Sequence, residues 1–185
     1  MKQSGIIKTK VFVSYDRGND QYYEDNFEHL VSSNYQIATS KPDQIGEMNP
    51  TLSIEKIRQQ VRDKYLRDSK VTVVLIGSQT WQKKHIDWEI SSSIQQTPNN
   101  SRSGLIGIIL PTHSLYTIKT LSPYTIPPRL YENFRCGFAE IYKWSNDAST
   151  IQKWIHAALE RRNKIKPNNS YPHFTTNRYG ERWYK

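Results

Sequence analysis

The chain has one cysteine, Cys136, among 185 residues. A lone thiol makes no internal disulfide, so a disulfide-stapled secreted module is excluded and a reducing cytosol suits the composition. Long apolar runs are also missing: nothing approaches the roughly 18 consecutive residues that a membrane span needs. The opening segment "MKQSGIIKTK" lacks the apolar core of a signal peptide, and a cytoplasmic location is expected. The five histidines form no H-x3-H pair and there is no second cysteine, so no metal site is expected. Neither a G-x-x-x-x-G-K-S/T loop nor a G-x-G-x-x-G turn occurs, and "IGSQT" lacks the second glycine of a G-x-S-x-G elbow.

Acids are scarce at one end. From Arg161 to Lys185 seven Lys/Arg face Glu181 alone, so +6 of the net +9 sits in this segment. The body is only mildly basic, and a nucleic-acid role would have to rest on the tail. What is present describes a folded domain: 36% hydrophobic and 23% charged residues, with 12 tyrosines and 5 tryptophans. The length suits one domain with a substantial core.

Residues 10–15, "KVFVSY", alternate and read as a strand; 19–33 read as a helix with Asn19 or Asp20 as its N-cap. "YQIATS" reads as a second strand, 41–50 as a loop and 51–69 as an amphipathic helix. "VTVVLIG" and "LIGIIL" are continuous apolar runs that suit central parallel strands covered on both faces. A helix is expected between them over 81–96, a fifth strand over 138–144 and a final helix over 146–164. Residues 111–135, with four prolines, read as a long irregular connection. The alternation predicts an α/β fold, a three-layer flavodoxin-like domain with a five-stranded, mostly parallel sheet over residues 1–165. The basic aromatic tail, 166–185, is expected to be dispensable for the fold, because Pro167, Pro172 and "NNS" interrupt any helix, though its aromatics Trp183 and Tyr184 could dock on the body.

In such sheets ligands bind outside the carboxyl ends of the strands, at the point where strand order reverses. That crevice would be bordered by "SYDRGND" and by "GSQT", which brings in Ser78. On a helical wheel Ile86, Ile90 and Ile94 form a core stripe, with Trp81, His85, Trp88 and Ser92 opposite and Glu89 about 100° from Ile90, on the flank. On spacing alone the commoner reading of Glu89 is a solvated residue paired with Lys83 or Lys84, whose replacement leaves stability nearly unchanged.

At these residues a family resemblance becomes specific. "KVFVSYDRGND", "VTVVLIGSQTW" and "HIDWEI" together resemble the TIR-like domains of the bacterial Thoeris antiphage family ThsB, and "IPPRLYENF" and "IYKW" resemble its C-terminal half. The resemblance covers residues 8 to 160 and implies an enzyme that cleaves the nicotinamide glycosidic bond of NAD, with NAD as substrate and no cofactor. It implies Glu89 as the catalytic carboxylate, with Ser14, Tyr15 and Asp16 in the loop bordering the nicotinamide ribose. It also implies a cyclic ADP-ribose-type product and a partner effector that responds to it. Tyr15 or Trp88 could stack on a base, though packing is the commoner role of either ring. Two alternatives stand beside the enzyme: a non-catalytic TIR-like scaffold that self-associates through exposed-looking Trp81 and Trp88, and a nucleic-acid binder. The latter would use Tyr171, Phe174, Tyr179, Trp183 and Tyr184 among the basic residues of the tail.

Overall fold

Alternation in "TKVFVS" decides how the first strand is used. In β1 (Thr9–Ser14) Val11 and Val13 point to one face, Phe12 and Ser14 to the other. The computed structural model describes residues 9–32, 37–40, 51–118 and 122–183; the loop expected at 41–50 lies outside them. After β1 come α1 (Arg17–Ser32), β2 (Ile37–Ser40), α2 (Ile54–Lys64), β3 (Val71–Ile76) and α3 (Lys84–Ser93). β4 (Gly104–Ile109), α4 (Pro128–Arg135), β5 (Ala139–Lys143) and α5 (Ala148–Lys164) complete the order. The five strands are parallel throughout, in the order β2-β1-β3-β4-β5. The expected flavodoxin-like sheet is the observed one.

Both apolar runs are wholly buried, as strands covered on two faces must be. Val11, Val13, Val71, Val73, Ile106 and Ile108 pack under α1 and α5. On the other face Val74, Ile76, Leu105 and Ile109 meet Ile86, Ile90 and Ile94 of α3 and Leu130 of α4. Phe12 packs there with Ile57 and Val61 of α2 and with Trp88. Three layers result: α1 and α5, the sheet, then α2, α3 and α4.

Several bounds differ from the sequence reading for local reasons. α2 begins at Ile54 because the Ser53 side chain caps it, accepting from Lys56 N. α3 begins at Lys84, since Thr80 Oγ1 accepts from Gly77 N at 2.8 Å and donates to Leu75 O at 3.3 Å. That competition leaves a 3-10 turn over Thr80–Gln82 in place of the first helical turn. α4 lies inside the segment read as irregular. Pro128 occupies its first turn, where a missing N–H costs nothing, so the proline pair starts a helix rather than breaking one.

Gly104, read as the last residue of a loop, opens β4 directly under α5. A Cβ there would run into the Ala158 carbonyl, its carbon 2.8 Å away. The obstacle is helix backbone, which cannot rotate aside. Gly104→Ala is therefore expected to cost about 1–3 kcal/mol by overpacking. Denaturant titration checks this, and an unchanged midpoint would show that α5 can shift freely.

Candidate functional site

Ser14 ends β1 with its side chain on the α3 face, paired in register with Val74, and it is fully buried. Opposite it on α3 lies Glu89, also with no exposure. Neither carboxylate oxygen of Glu89 has a hydrogen-bond partner, and Ser14 Oγ has none. The hydroxyl is nonetheless close enough, with the charge of Arg17, to oppose the main effect. That effect is burial, which pushes the Glu89 carboxyl from its ordinary 4.5 up to about 8. The flank reading of Glu89 is overturned. A wheel drawn for one helix misses α2, which packs across the flank of α3 through Ile57, Val61 and Trp88. Ser92 Oγ donates to Arg58 O at 3.4 Å across the same seam, and Arg58 and Arg62 both donate to Gln95 Oε1.

The lysines expected beside Glu89 serve others. Lys83 Nζ lies 3.3 Å from Asp16 Oδ2, and Lys84 Nζ sits over the Trp88 ring. His85, read as exposed, is half-buried, with Nε2 3.5 Å from Tyr15 O; burial lowers its pKa. Asp16 is a capping residue. Its Oδ1 accepts from Gly18 N at 3.3 Å and its Oδ2 from Asn19 Nδ2 at 2.7 Å, while the Lys83 contact ties the β1 loop to the entrance of α3.

Of the expected substrate-contact residues, Tyr15 and Trp88 are taken up by packing. The Tyr15 ring is buried on the α1/α5 side, and its hydroxyl donates to Gln21 Oε1 at 2.8 Å. Ser78 borders a separate polar cleft of ≈ 640 Å³ with Gln79, Gln82 and Ser114. Trp88 is 4% exposed, and its Nε1 donates to Phe174 O at 2.8 Å. Trp81 is likewise buried, so the exposed tryptophan pair is corrected as well. Glu89 and Ser14 are thus brought together, with Asp16 just after β1 and His85 one turn before Glu89 on α3.

Two features of this end of the sheet escaped the sequence reading. Asp20, read as a helix cap, is fully buried with a raised pKa, chiefly from burial, and accepts from Thr112 Oγ1 at 2.8 Å. Its carboxylate fills the space where a Cβ on Gly77 would stand. A glycine closing an apolar strand was the available signal of close approach.

The second is the tail, which straps along α3. Asn169 Nδ2 donates to Ser91 O, Phe174 N to Asp87 Oδ2 at 3.0 Å, and Lys84 N to Asn177 Oδ1 at 2.9 Å. Arg129 of α4, with no exposure, forms an ion pair with Asp87 at 2.8 Å and donates to Tyr171 O at 2.7 Å. Burial alone would raise the Asp87 pKa. The bond to His173 and the charge and bonds of Arg129 outweigh it, and the pKa is lowered. Of the five tail aromatics, Phe174 and Trp183 are buried, Tyr171 is half-buried, Tyr179 is exposed, and Tyr184 lies outside the described residues. Residues 166–183 are packed on the body, with Phe174 and Trp183 docked as the tail's aromatics allowed.

A five-stranded parallel sheet in the order 2-1-3-4-5 between two helical layers, with a buried carboxylate on the helix after the third strand, defines a flavodoxin-like domain of the TIR-like class. The chain belongs to the Thoeris protein ThsB TIR-like domain family, whose model matches residues 12–114, more than half of the chain. No curated protein matches the sequence. The matched span includes Ser14, Asp20 and Glu89 and ends before α4 and the tail, and it marks a defence-related TIR-like domain. Among the described residues no helix is long and apolar enough to cross a membrane, and no group of three or more His, Cys, Asp and Glu is placed to hold a metal ion.

Proposed function

We propose that this domain cleaves the bond between nicotinamide and ribose in NAD, with Glu89 as the residue that stabilises the departing charge. The observation that carries the reading is a wholly buried carboxylate whose oxygens make no well-formed hydrogen bond, facing the Ser14 hydroxyl at the carboxyl edge of β1. A structural acid would have hydrogen-bond partners, because leaving a buried polar group unsatisfied costs about 1–3 kcal/mol. Polar groups retained at that cost are explained by a ligand that meets them.

The chemistry asks little more of the protein. Nicotinamide is a cationic leaving group, so the C1′–N bond breaks with its electron pair moving onto a neutral product, and no general acid is needed. The ribose becomes an oxocarbenium-like cation, which a carboxylate held in a dry site stabilises. Water then adds at C1′ and loses a proton to give ADP-ribose; a hydroxyl of the same molecule gives a cyclic product instead. We assign the cyclic outcome, with a partner effector reading the product, as the signalling form of the reaction. Incubation with NAD followed by mass spectrometry tests both steps, comparing resting protein with protein from phage-infected cells. Absence of nicotinamide release in the activated sample would favour the non-catalytic scaffold.

The raised pKa sets a pH dependence. Glu89 acts ionised, and in the free protein ionisation is delayed by burial to about 8. kcat/KM for NAD is therefore expected to rise with pH and level off above about 8, since this parameter follows the free enzyme. kcat should level off at lower pH, because the cationic nicotinamide riboside favours the carboxylate once bound. Initial rates of nicotinamide release between about pH 6 and 10 would check it; a kcat/KM that falls across this window excludes an ionised Glu89.

A further inference from the structure

Beyond the strap, residues 178–183 turn back onto the body to form a second wall. Gly180 takes φ 98°, a left-handed conformation that favours glycine. Three contacts anchor the turn: Arg178 N donates to Gln82 O at 2.7 Å, Gln82 Nε2 to Gly180 O at 2.7 Å, and Trp183 N to Tyr124 O at 2.9 Å. Between these anchors Gly180, Glu181 and Arg182 separate two clefts. One, of ≈ 490 Å³, is lined by the exposed Tyr179 and by Arg178 over a floor of the buried Trp81 and Trp183. The other, of ≈ 640 Å³, is walled by the hydroxyls and carboxamides of Ser78, Gln79, Gln82 and Ser114.

We infer that these paired clefts bind the adenosine-diphosphate half of the dinucleotide. The exposed ring of Tyr179 offers a face for a base. Hydroxyl and carboxamide groups suit the ribose and the phosphate oxygens, and two arginines against Glu181 leave the walls net positive. The location fits as well. Ser78 and Gln79 follow β3 and Ser114 follows β4, so the clefts lie at the carboxyl edge. Gln79 Oε1 also accepts from Asn19 Nδ2 at 3.3 Å, joining this wall to the loop after β1. Gln82 stands two residues before α3, the helix that carries Glu89, so one short stretch of chain links the cleft wall to the carboxylate. The inference rests on NAD as the substrate and adds where its remote half is held. Residues 178–183 lie outside the family match, so this wall belongs to the present chain rather than to the matched domain.

Two exposed positions allow a test that leaves the core alone. Ser114→Trp fills the polar cleft, and Tyr179→Ala removes a ring that is 85% exposed. Binding of ADP, ADP-ribose and nicotinamide mononucleotide is measured by calorimetry, with melting temperatures confirming the fold. ADP and ADP-ribose should bind the unaltered protein and lose at least about tenfold in affinity in either variant, about 1.4 kcal/mol, with a smaller change for the mononucleotide. In activated protein, kcat/KM for NAD should fall more than kcat/KM for the mononucleotide. Cleft-dependent ADP binding without NAD cleavage would uphold this site and remove the proposed reaction. No ADP binding, or NAD cleavage with both variants binding ADP normally, would make the clefts mere gaps beneath a docked tail and overturn the inference.

Discussion

Glu89→Gln is expected to lower nicotinamide release by at least about 10²–10³, the usual loss when one preorganised electrostatic contact is removed from a transition state. The same change is expected to stabilise the fold near pH 8. Burial raises the folded-state pKa of Glu89 from 4.5 to about 8, so between these values the folded chain keeps a proton that the unfolded chain has released. Stability therefore falls as pH rises through this window and stays lowered above it. Glutamine carries no such proton. The variant and the parent should match below about pH 4.5 and diverge by a few kcal/mol near pH 8, the variant being the more stable. Melting curves at both ends of the window, run beside the activity assay, separate the two effects. Unchanged release would move the chemistry to another residue. A less stable variant at pH 8 would mean that Glu89 is ionised and paired in the fold.

The second large effect concerns the strap. Arg129→Met removes the ion pair of Asp87, which is 3% exposed, and leaves it only Phe174 N and His173; breaking a buried pair by removing one partner costs about 3–5 kcal/mol. For a chain of this size that corresponds to roughly 10 °C in melting temperature. Ending the chain at Lys166 should act in the same direction. It removes Phe174 and Trp183 from their buried positions and leaves the Trp88 indole N–H without its acceptor. A truncated chain that melts like the full one would restore the tail to a dispensable appendage.

What could be read in advance follows from which forces are local. "VTVVLI" and "LIGIIL" declare central strands because burial on both faces leaves no room for polar alternation, and the β–α order then allows few topologies. Glu89 was located by motif but not by environment, since its burial comes from packing against the end of β1, a separate element brought across by the fold. Tyr15 could have been set aside from the strand alone: consecutive residues point to opposite faces, so Ser14 and Tyr15 cannot both face α3. The tail left no periodic trace. It docks through main-chain carbonyls, single indole N–H groups and one ion pair between two other elements, none of which imposes a spacing on its own sequence.

The strap also sets an order of events in synthesis. Its bonds to α3 join residues 86 and 87 positions apart, and such contacts form only after the intervening chain exists. Translation proceeds at about 5–20 residues per second from the N-terminal end, so residues 169–183 follow the end of β5 by about 1–8 s, and β1, β3 and α3 can begin to assemble first. During that interval Asp87 and the Trp88 indole have none of the partners the strap supplies. A ribosome that stalls or terminates within the tail would release a chain with an assembled sheet and an incomplete α3 face, a natural substrate for chaperones and proteases.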